Sequence, residues 1–196
     1  MNQPLGRTVG NALEVIEAFE ALRGDGPEDF ITLCRELSAE MLVLGSSADT
    51  VDEGRAKYDE LIASGAALEK MREIITAQAG EPRVLDDYSL LPTARHERKV
   101  PAKRNGYVQA IDTEAIGRAS MLLGAGRLRL DSKIDLSVGI TVEARIGDRV
   151  DESTPLALMH FNDAVLVDEA GAVIMQAYRI GAERTQPPAL IKDVLR

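Results

Sequence analysis

A single cysteine, Cys34, stands in the whole sequence, so no disulfide can form within the chain and a reducing compartment suits it. The two histidines, His96 and His160, lie far apart, with no second histidine or cysteine at metal-ligand spacing, which excludes a zinc site of the Cys/His kind. No apolar run is long enough to span a bilayer, and no signal peptide opens the sequence. Positive charge is scarce: 23 Lys and Arg stand against 32 Asp and Glu, a formal net charge of -9 and a pI of about 4.8. That balance excludes a dominant nucleic-acid role, because phosphate backbones need a basic surface. It leaves room for a small phosphate-bearing substrate held by a few local cations. What is present is ordinary: 45% hydrophobic and 28% charged residues over a length of 196. One domain, or two small ones with a sizeable core, fits that length. The expectation is a soluble, acidic, cytoplasmic protein with no membrane and no nucleic-acid partner.

Up to residue 80 the pattern is helical, and each segment is stopped by glycine. A first helix is expected over 9–23, with Ala12, Val15, Ile16, Phe19 and Leu22 at helical spacing and Gly24 after it. A second opens on Pro27, Glu28 and Asp29, carries the stripe Phe30, Leu33, Leu37, Met41 and Leu44, and ends at Gly45. Thr50 and Glu53 form a capping-box pattern for a third helix closing at Gly65. Leu68, Met71 and Ile75 mark a fourth, closed by Gly80.

After Pro82 the pattern turns to strands. Leu91-Pro92 and the charged run Arg95-His96-Glu97-Arg98-Lys99 read as a linker. Short strands are expected over 100–102 and 107–111, around a turn at Lys103-Arg104-Asn105-Gly106. A helix capped by Asp112 or Thr113 stops at Gly124. The stretch 127–130 follows, and then Val138, Ile140, Val142, Ala144 and Ile146 alternate with a period of two. Gly147-Asp148 turns the chain into a strand over 156–159. The stretch 165–178 fits either a hairpin around Asp168-Glu169-Ala170-Gly171 or a helix weakened by Gly171, and the helix is favoured. The tail at 187–191 is expected to dock in an extended form.

Several groups invite a chemical reading. At the opening of the first helix, backbone carbonyls and the Glu17 carboxylate suit a hard cation, while Glu17 equally reads as a solvated glutamate beside Glu14. Leu123-Gly-Ala-Gly-Arg127 looks like a phosphate loop, but its glycines follow a helix and so read as a C-terminal cap. Gly147-Asp148-Arg149-Val150, continuing to Pro155-Leu-Ala157, is a turn of the kind found in barrel-sandwich modules. A biotin- or lipoyl-type carrier would need a lysine on an exposed hairpin, and Met159-His160 is the nearest approach to one. His160 suits a packed or hydrogen-bonding role. Cys34, near Phe30 and Leu37, suits a buried thiol. The basic cluster Arg95, Arg98, Lys99, Lys103 and Arg104 has only Tyr107 as a nearby aromatic, and reads as solvated linker.

Met1-Asn-Gln-Pro-Leu-Gly followed by Val9-Gly-Asn-Ala-Leu-Glu-Val15 resembles an internal segment of the thymidine and pyrimidine-nucleoside phosphorylases. Gly106-Tyr-Val108, Leu123-Gly-Ala-Gly-Arg127 and Ile134-Asp-Leu-Ser-Val-Gly-Ile140 resemble the same family's carboxyl-terminal domain. The resemblance runs from the first residues to Pro187-Pro-Ala-Leu-Ile191 and matches only the carboxyl-terminal part of a phosphorylase. It implies an α+β chain: 1–80 as the helical remnant of an α/β domain, 81–98 as linker, and 99–196 as a β-rich barrel-sandwich or α/β-hammerhead-like domain. It implies a potassium site whose ligands here would be the backbone oxygens of Leu5 and Thr8 and the carboxylate of Glu17. Threonine at position 8 stands where alanine is common in the family, a change to which a backbone ligand is insensitive. The family's reaction, pentosyl transfer from a pyrimidine nucleoside to phosphate, uses a Lys-His-Ser-Thr-Gly-Gly loop, a Ser-Gly-Arg-Gly segment and an Arg/Ser/Lys set on the base. None of these occurs in this sequence. The resemblance therefore implies no catalytic and no substrate-binding residue here. It implies inactivity of the chain alone, and partners in the form of a homodimer or a complementing amino-terminal chain. It does not choose thymidine over uridine.

Overall fold

The computed structural model describes residues 2–127 and 129–195 and is an α+β chain. In order, its elements are β1 (Thr8–Gly10), α1 (Ala12–Arg23), α2 (Glu28–Leu44), α3 (Val51–Ala63), α4 (Ala66–Ala77), two 3-10 turns (Pro82–Leu85 and Tyr88–Leu90), β2 (His96–Pro101), β3 (Gly106–Ile111), α5 (Thr113–Leu122), β4 (Gly139–Val142), β5 (Arg149–Val150), β6 (Pro155–Phe161), α6 (Val167–Ala177) and β7 (Tyr178–Gly181). They fall into two compact units, Met1–Val15 with Leu91–Pro188, and Ile16–Leu90 with Ala189–Arg196.

The first unit contains both sheets. One is four-stranded in the order β1-β4-β6-β2, the other three-stranded in the order β5-β3-β7, and every pairing is antiparallel. Both sheets are open, with no closed barrel among the described residues. The period-two run does what alternation dictates: Val138, Ile140, Val142, Ala144 and Ile146 are all buried, although only 139–142 pair as strand. Helices α5 and α6 complete this core with Ile116, Ala119, Ala170 and Ile174, each fully buried beside Val108, Leu156 and Met159. The ambiguous stretch is indeed helical. Val167, Ala170, Ile174 and Ala177 line one buried face of α6, and burying them outweighs the roughly 1 kcal/mol that Gly171 costs a helix. Asp112 caps α5, its carboxylate accepting from the Ala115 N–H at 3.1 Å.

The second unit is helical. Thr50 caps α3, accepting from the Glu53 N–H at 3.2 Å, while the Glu53 carboxylate accepts from the Asp49 N–H at 2.9 Å, one residue beyond the N-cap N–H of a regular capping box. Helices α2 and α3 meet through small residues. Ala39 is fully buried, and a Cβ on Gly54 would stand 2.7 Å from the Ala39 carbonyl oxygen. Arg55 spans the same pair of helices to Glu36 at 2.6 Å. Because the close approach uses small side chains, much of the large-residue stripe of α2 faces outward: Leu37 is 55% exposed, Met41 62% and Leu44 84%. Phe19 stacks on Tyr88 with ring centroids 6.4 Å apart, and the Tyr88 hydroxyl donates to Glu20.

Four expectations are corrected. Val9 and Gly10 are strand rather than helix, because the ladder with β4 claims them and the helix starts only at Ala12. His96–Lys99 are strand rather than linker: the exposed edge of the sheet accommodates a charged run that composition alone reads as solvated. The Lys103–Gly106 turn joins strands of different sheets, since β2 pairs with β6 and β3 with β5 and β7. The tail over 187–195 has exposed side chains and no regular structure, although Pro187 lies 3.5 Å from where a Cβ on Gly147 would stand. Of the stretch 127–130, Leu128 lies outside the described residues, and Arg127, Arg129 and Leu130 form no strand. No helix among the described residues is long and apolar enough to cross a membrane.

Candidate functional site

The opening segment is bound into the first unit by its backbone. Gly6, at a φ of 69°, lets the chain turn, and its carbonyl accepts from the Arg145 guanidinium. The Gln3 side chain accepts from the Ile146 N–H at 3.1 Å, and the Arg7 carbonyl from the Val142 N–H at 2.6 Å. That last bond fixes the ladder: Thr8 and Thr141 face each other as a non-hydrogen-bonded pair, so the Thr8 N–H and carbonyl point away from β4. As β1 is an edge strand, that carbonyl is turned outward. The Thr8 hydroxyl is buried with no hydrogen-bond partner. The donors at the helix start are already engaged: the Gly10 N–H donates to Glu14 at 2.8 Å and the Ala12 N–H to the Leu136 carbonyl at 3.0 Å. Glu14 is thus a backbone partner rather than a solvated glutamate. Of the three expected cation ligands, Leu5 and Thr8 lie in the first unit, one on each side of the engaged Gly6 and Arg7 carbonyls. Glu17 lies on α1, half-buried, with interactions of its own. Among the described residues no three His, Cys, Asp or Glu side chains gather as a metal site.

His160 sits in the interior of the four-stranded sheet, between strands that each contribute a partner. Its Nε2 is 3.0 Å from the Thr141 hydroxyl on β4, and its Nδ1 is 3.2 Å from a Glu97 carboxylate oxygen on β2. With Nδ1–H donating to Glu97, Nε2 accepts from Thr141, and the ring is locked in one orientation. This is the hydrogen-bonding role expected of it. Glu97 and Thr141 escaped sequence reasoning; period-two spacing from Val138 and Ile140 puts Thr141 on the face opposite the core, but pairing register alone brings it to His160. Met159-His160 lies mid-strand, with Met159 fully buried, so this is no exposed hairpin for a carrier arm. His96 is exposed at the sheet edge, its ring 5.5 Å from that of Phe161.

The glycines of 123–127 do cap a helix. Gly124 adopts a φ of 104°, its N–H donates to the Met121 carbonyl at 3.0 Å, and the Ala125 N–H to Ser120 at 3.1 Å. Beside them a cavity of about 310 Å³ is lined in part by Met121, Gly124, Lys133, Asp135, Asn162 and Leu166. Two of its polar lining residues, Asp135 and Asn162, are hydrogen-bonded to each other. Asp135 accepts from the Ser137 hydroxyl at 2.6 Å and from Asn162 at 2.7 Å, and Asn162 accepts from the Arg95 N–H at 2.8 Å. Burial pushes the Asp135 carboxyl up, yet the hydrogen bonds from Ser137 and Asn162 outweigh it and hold it below the usual carboxylate range. The basic cluster disperses: Arg98 pairs with Asp168 at 2.7 Å and donates to the Val167 carbonyl, while Lys103 takes a φ of 56° in the turn after β2. Cys34 is half-buried, and burial pushes its thiol up.

Residues 107–181 match the family described as pyrimidine nucleoside phosphorylase C-terminal domain. Over 187 residues the chain is 45% identical to the pyrimidine-nucleoside phosphorylase of Bacillus subtilis (strain 168), a stretch covering 95% of this chain and 43% of that protein. It is 47% identical over 162 residues to the protein of the same name from Staphylococcus aureus (strain USA300), covering 83% of this chain and 37% of that protein. The chain spans less than half the length of these curated relatives.

Proposed function

From the match of residues 107–181 to the pyrimidine nucleoside phosphorylase C-terminal domain and the 45% identity to the Bacillus subtilis enzyme, we propose that the chain is the carboxyl-terminal part of a pyrimidine-nucleoside phosphorylase, without turnover by itself. The family reaction is phosphorolysis, in which phosphate attacks the anomeric carbon of a pyrimidine nucleoside and base and pentose 1-phosphate leave. It needs an anion cradle for phosphate and donors for the charge that develops on the departing base. One observation carries the reading of inactivity: the sequence contains neither the family's phosphate loop nor its base-contacting set. The cytoplasm and nucleoside salvage are the setting that this reading implies. The barrel-sandwich and hammerhead description of 99–196 belongs to it too, supported by two antiparallel sheets with α5 and α6 in a shared core. Incubating the isolated chain with thymidine or uridine and phosphate is expected to release no base above the uncatalysed background. Turnover approaching that of the Bacillus subtilis enzyme would overturn the reading.

The potassium site is proposed on the same footing, with the Leu5 and Thr8 carbonyls and the Glu17 carboxylate as ligands. Three features support it. The Gly6 and Arg7 carbonyls are engaged within the unit, the ladder turns the Thr8 carbonyl outward, and the Thr8 hydroxyl beside it is buried and unpartnered. Hard oxygen donors of this kind suit an alkali cation. A bound potassium ion would supply a fixed positive charge at the start of α1.

A further inference from the structure

Across the four-stranded sheet, on the face turned away from the core, polar side chains form a row with one loose end. Glu97 on β2 lies 3.2 Å from the His160 Nδ1, and the His160 Nε2 lies 3.0 Å from the Thr141 hydroxyl on β4. Facing Thr141 in register on β1 is Thr8. Val9 beside it packs against the core, so alternation turns the Thr8 side chain to the same outer face as Thr141. Glu97, His160 and Thr141 are engaged with one another. The Thr8 hydroxyl is the one buried side-chain polar atom among the described residues without a hydrogen-bond partner. Burying an unpaired hydroxyl costs free energy, and an ion or an ordered water is among the reasons a native structure keeps one.

We propose that the Thr8 hydroxyl is a further ligand of the cation assigned above to the Leu5 and Thr8 carbonyls, so that residue 8 grips the ion with two oxygens. The proposal rests on the potassium reading and adds to it a ligand that is a side chain rather than backbone. Two observations choose a cation as the partner. The Thr8 carbonyl is turned away from β4 on the open edge of the sheet, so both oxygens of residue 8 are left without a strand partner. The neighbouring N–H donors that an anion would need are already spent, Gly10 on the Glu14 carboxylate and Ala12 on the Leu136 carbonyl. What remains there is a pair of neutral oxygens. Such donors, shielded from bulk water, suit a large monovalent ion better than magnesium, which gives up its hydration shell reluctantly.

The test is thermal melting of the full 196-residue chain in potassium chloride and in choline chloride of equal ionic strength. Thr8→Val keeps the β-branched shape that suits a strand and removes only the hydroxyl oxygen. In choline chloride the variant is expected to melt no lower than the parent, because an unpaired buried hydroxyl has become a methyl group. In potassium chloride it is expected to fall behind, with the potassium concentration that gives half the full shift raised about tenfold. Thr8→Ser, which keeps the oxygen, is expected to respond as the parent does. A merely structural role for the hydroxyl would move the melting temperature equally in both salts. Thr8→Val that responds to potassium like the parent, while Glu17→Gln still erases the response, overturns the hydroxyl as a ligand and leaves the potassium reading standing. An ordered water as the hydroxyl's partner gives that same result. Equal melting of the parent in the two salts overturns both. Thallium(I), a heavy substitute for potassium, supplies a measurement on the parent chain that does not depend on how the variants fold. Its anomalous scattering in crystals soaked with thallium acetate is expected to lie in contact with Thr8 Oγ1, and a peak at the Leu5 and Thr8 carbonyls that leaves Oγ1 out of reach overturns the added ligand.

Discussion

Asp135 is where a single side chain has the clearest measurable consequence. Its carboxylate collects donors from Ser137 and Asn162, which outweigh the opposing effect of burial and lower its pKa in the folded state. A depressed carboxyl contributes stability that is present above its unfolded value and lost as the pH falls through the folded one. Replacing Asp135 by Asn is therefore expected to cost about 1 kcal/mol at neutral pH in urea unfolding, and progressively less as the pH falls below about 4. An equal loss at pH 7 and pH 3 would contradict this account. Glu17 carries the second expectation at this scale. Potassium chloride is expected to raise the melting temperature above that in choline chloride of equal ionic strength, and Glu17→Gln to erase the difference. Identical melting of the parent chain in both salts removes the proposed ion. Of these residues, Glu17 was visible in the sequence through resemblance. Asp135, Thr141 and Glu97 were not, because what makes them notable is a partner on another strand or loop, and no local spacing encodes that.

At the scale of elements, glycines separate two kinds of helix position. Gly54 in α3 and Gly117 in α5 both lie inside helices, where alanine ordinarily gains up to about 1 kcal/mol. A Cβ on Gly117 meets nothing within 4 Å, so Gly117→Ala is expected to stabilise by about 0.5–1 kcal/mol. On Gly54 the Cβ meets backbone atoms of Ala39 at 2.7–3.1 Å, and backbone does not yield as a flexible side chain does. There overpacking wins, and Gly54→Ala is expected to destabilise by about 1–2 kcal/mol. The midpoint of urea unfolding reads both, and a stabilised Gly54→Ala would show that α2 and α3 are not in such close contact. Most of the helices were plain in the sequence: periodicity located the first four, capping residues and Gly124 the fifth, and Gly24, Gly45, Gly65 and Gly80 mark where the first four stop, while 165–178 was open between hairpin and helix. Strands were plain only where they alternate around a buried face. β1 is three residues long beside a strong helix, and β2 is nearly all charged, so neither carries that signal. The division into two sheets was hidden for another reason: strand partners are chosen across the chain, not along it.

For the whole molecule, the proposed lack of phosphorolysis rests on the family's phosphate loop and base-contacting set not occurring in these 196 residues rather than on any one residue. Two relatives match it at 45% and 47% identity, yet it covers 43% and 37% of them. What it does span is organised as a sheet-and-helix unit and a helical unit. The sheet order adds a consequence for how the first unit comes together. Among the described residues β1 has one strand neighbour, β4, about 130 residues later. During synthesis, at about 5–20 residues per second, Thr8–Gly10 waits on the order of ten seconds for Gly139–Val142 to leave the ribosome. β1 is thus made well before its neighbour, and until that neighbour emerges the segment that carries Leu5 and Thr8 has no sheet to hold it.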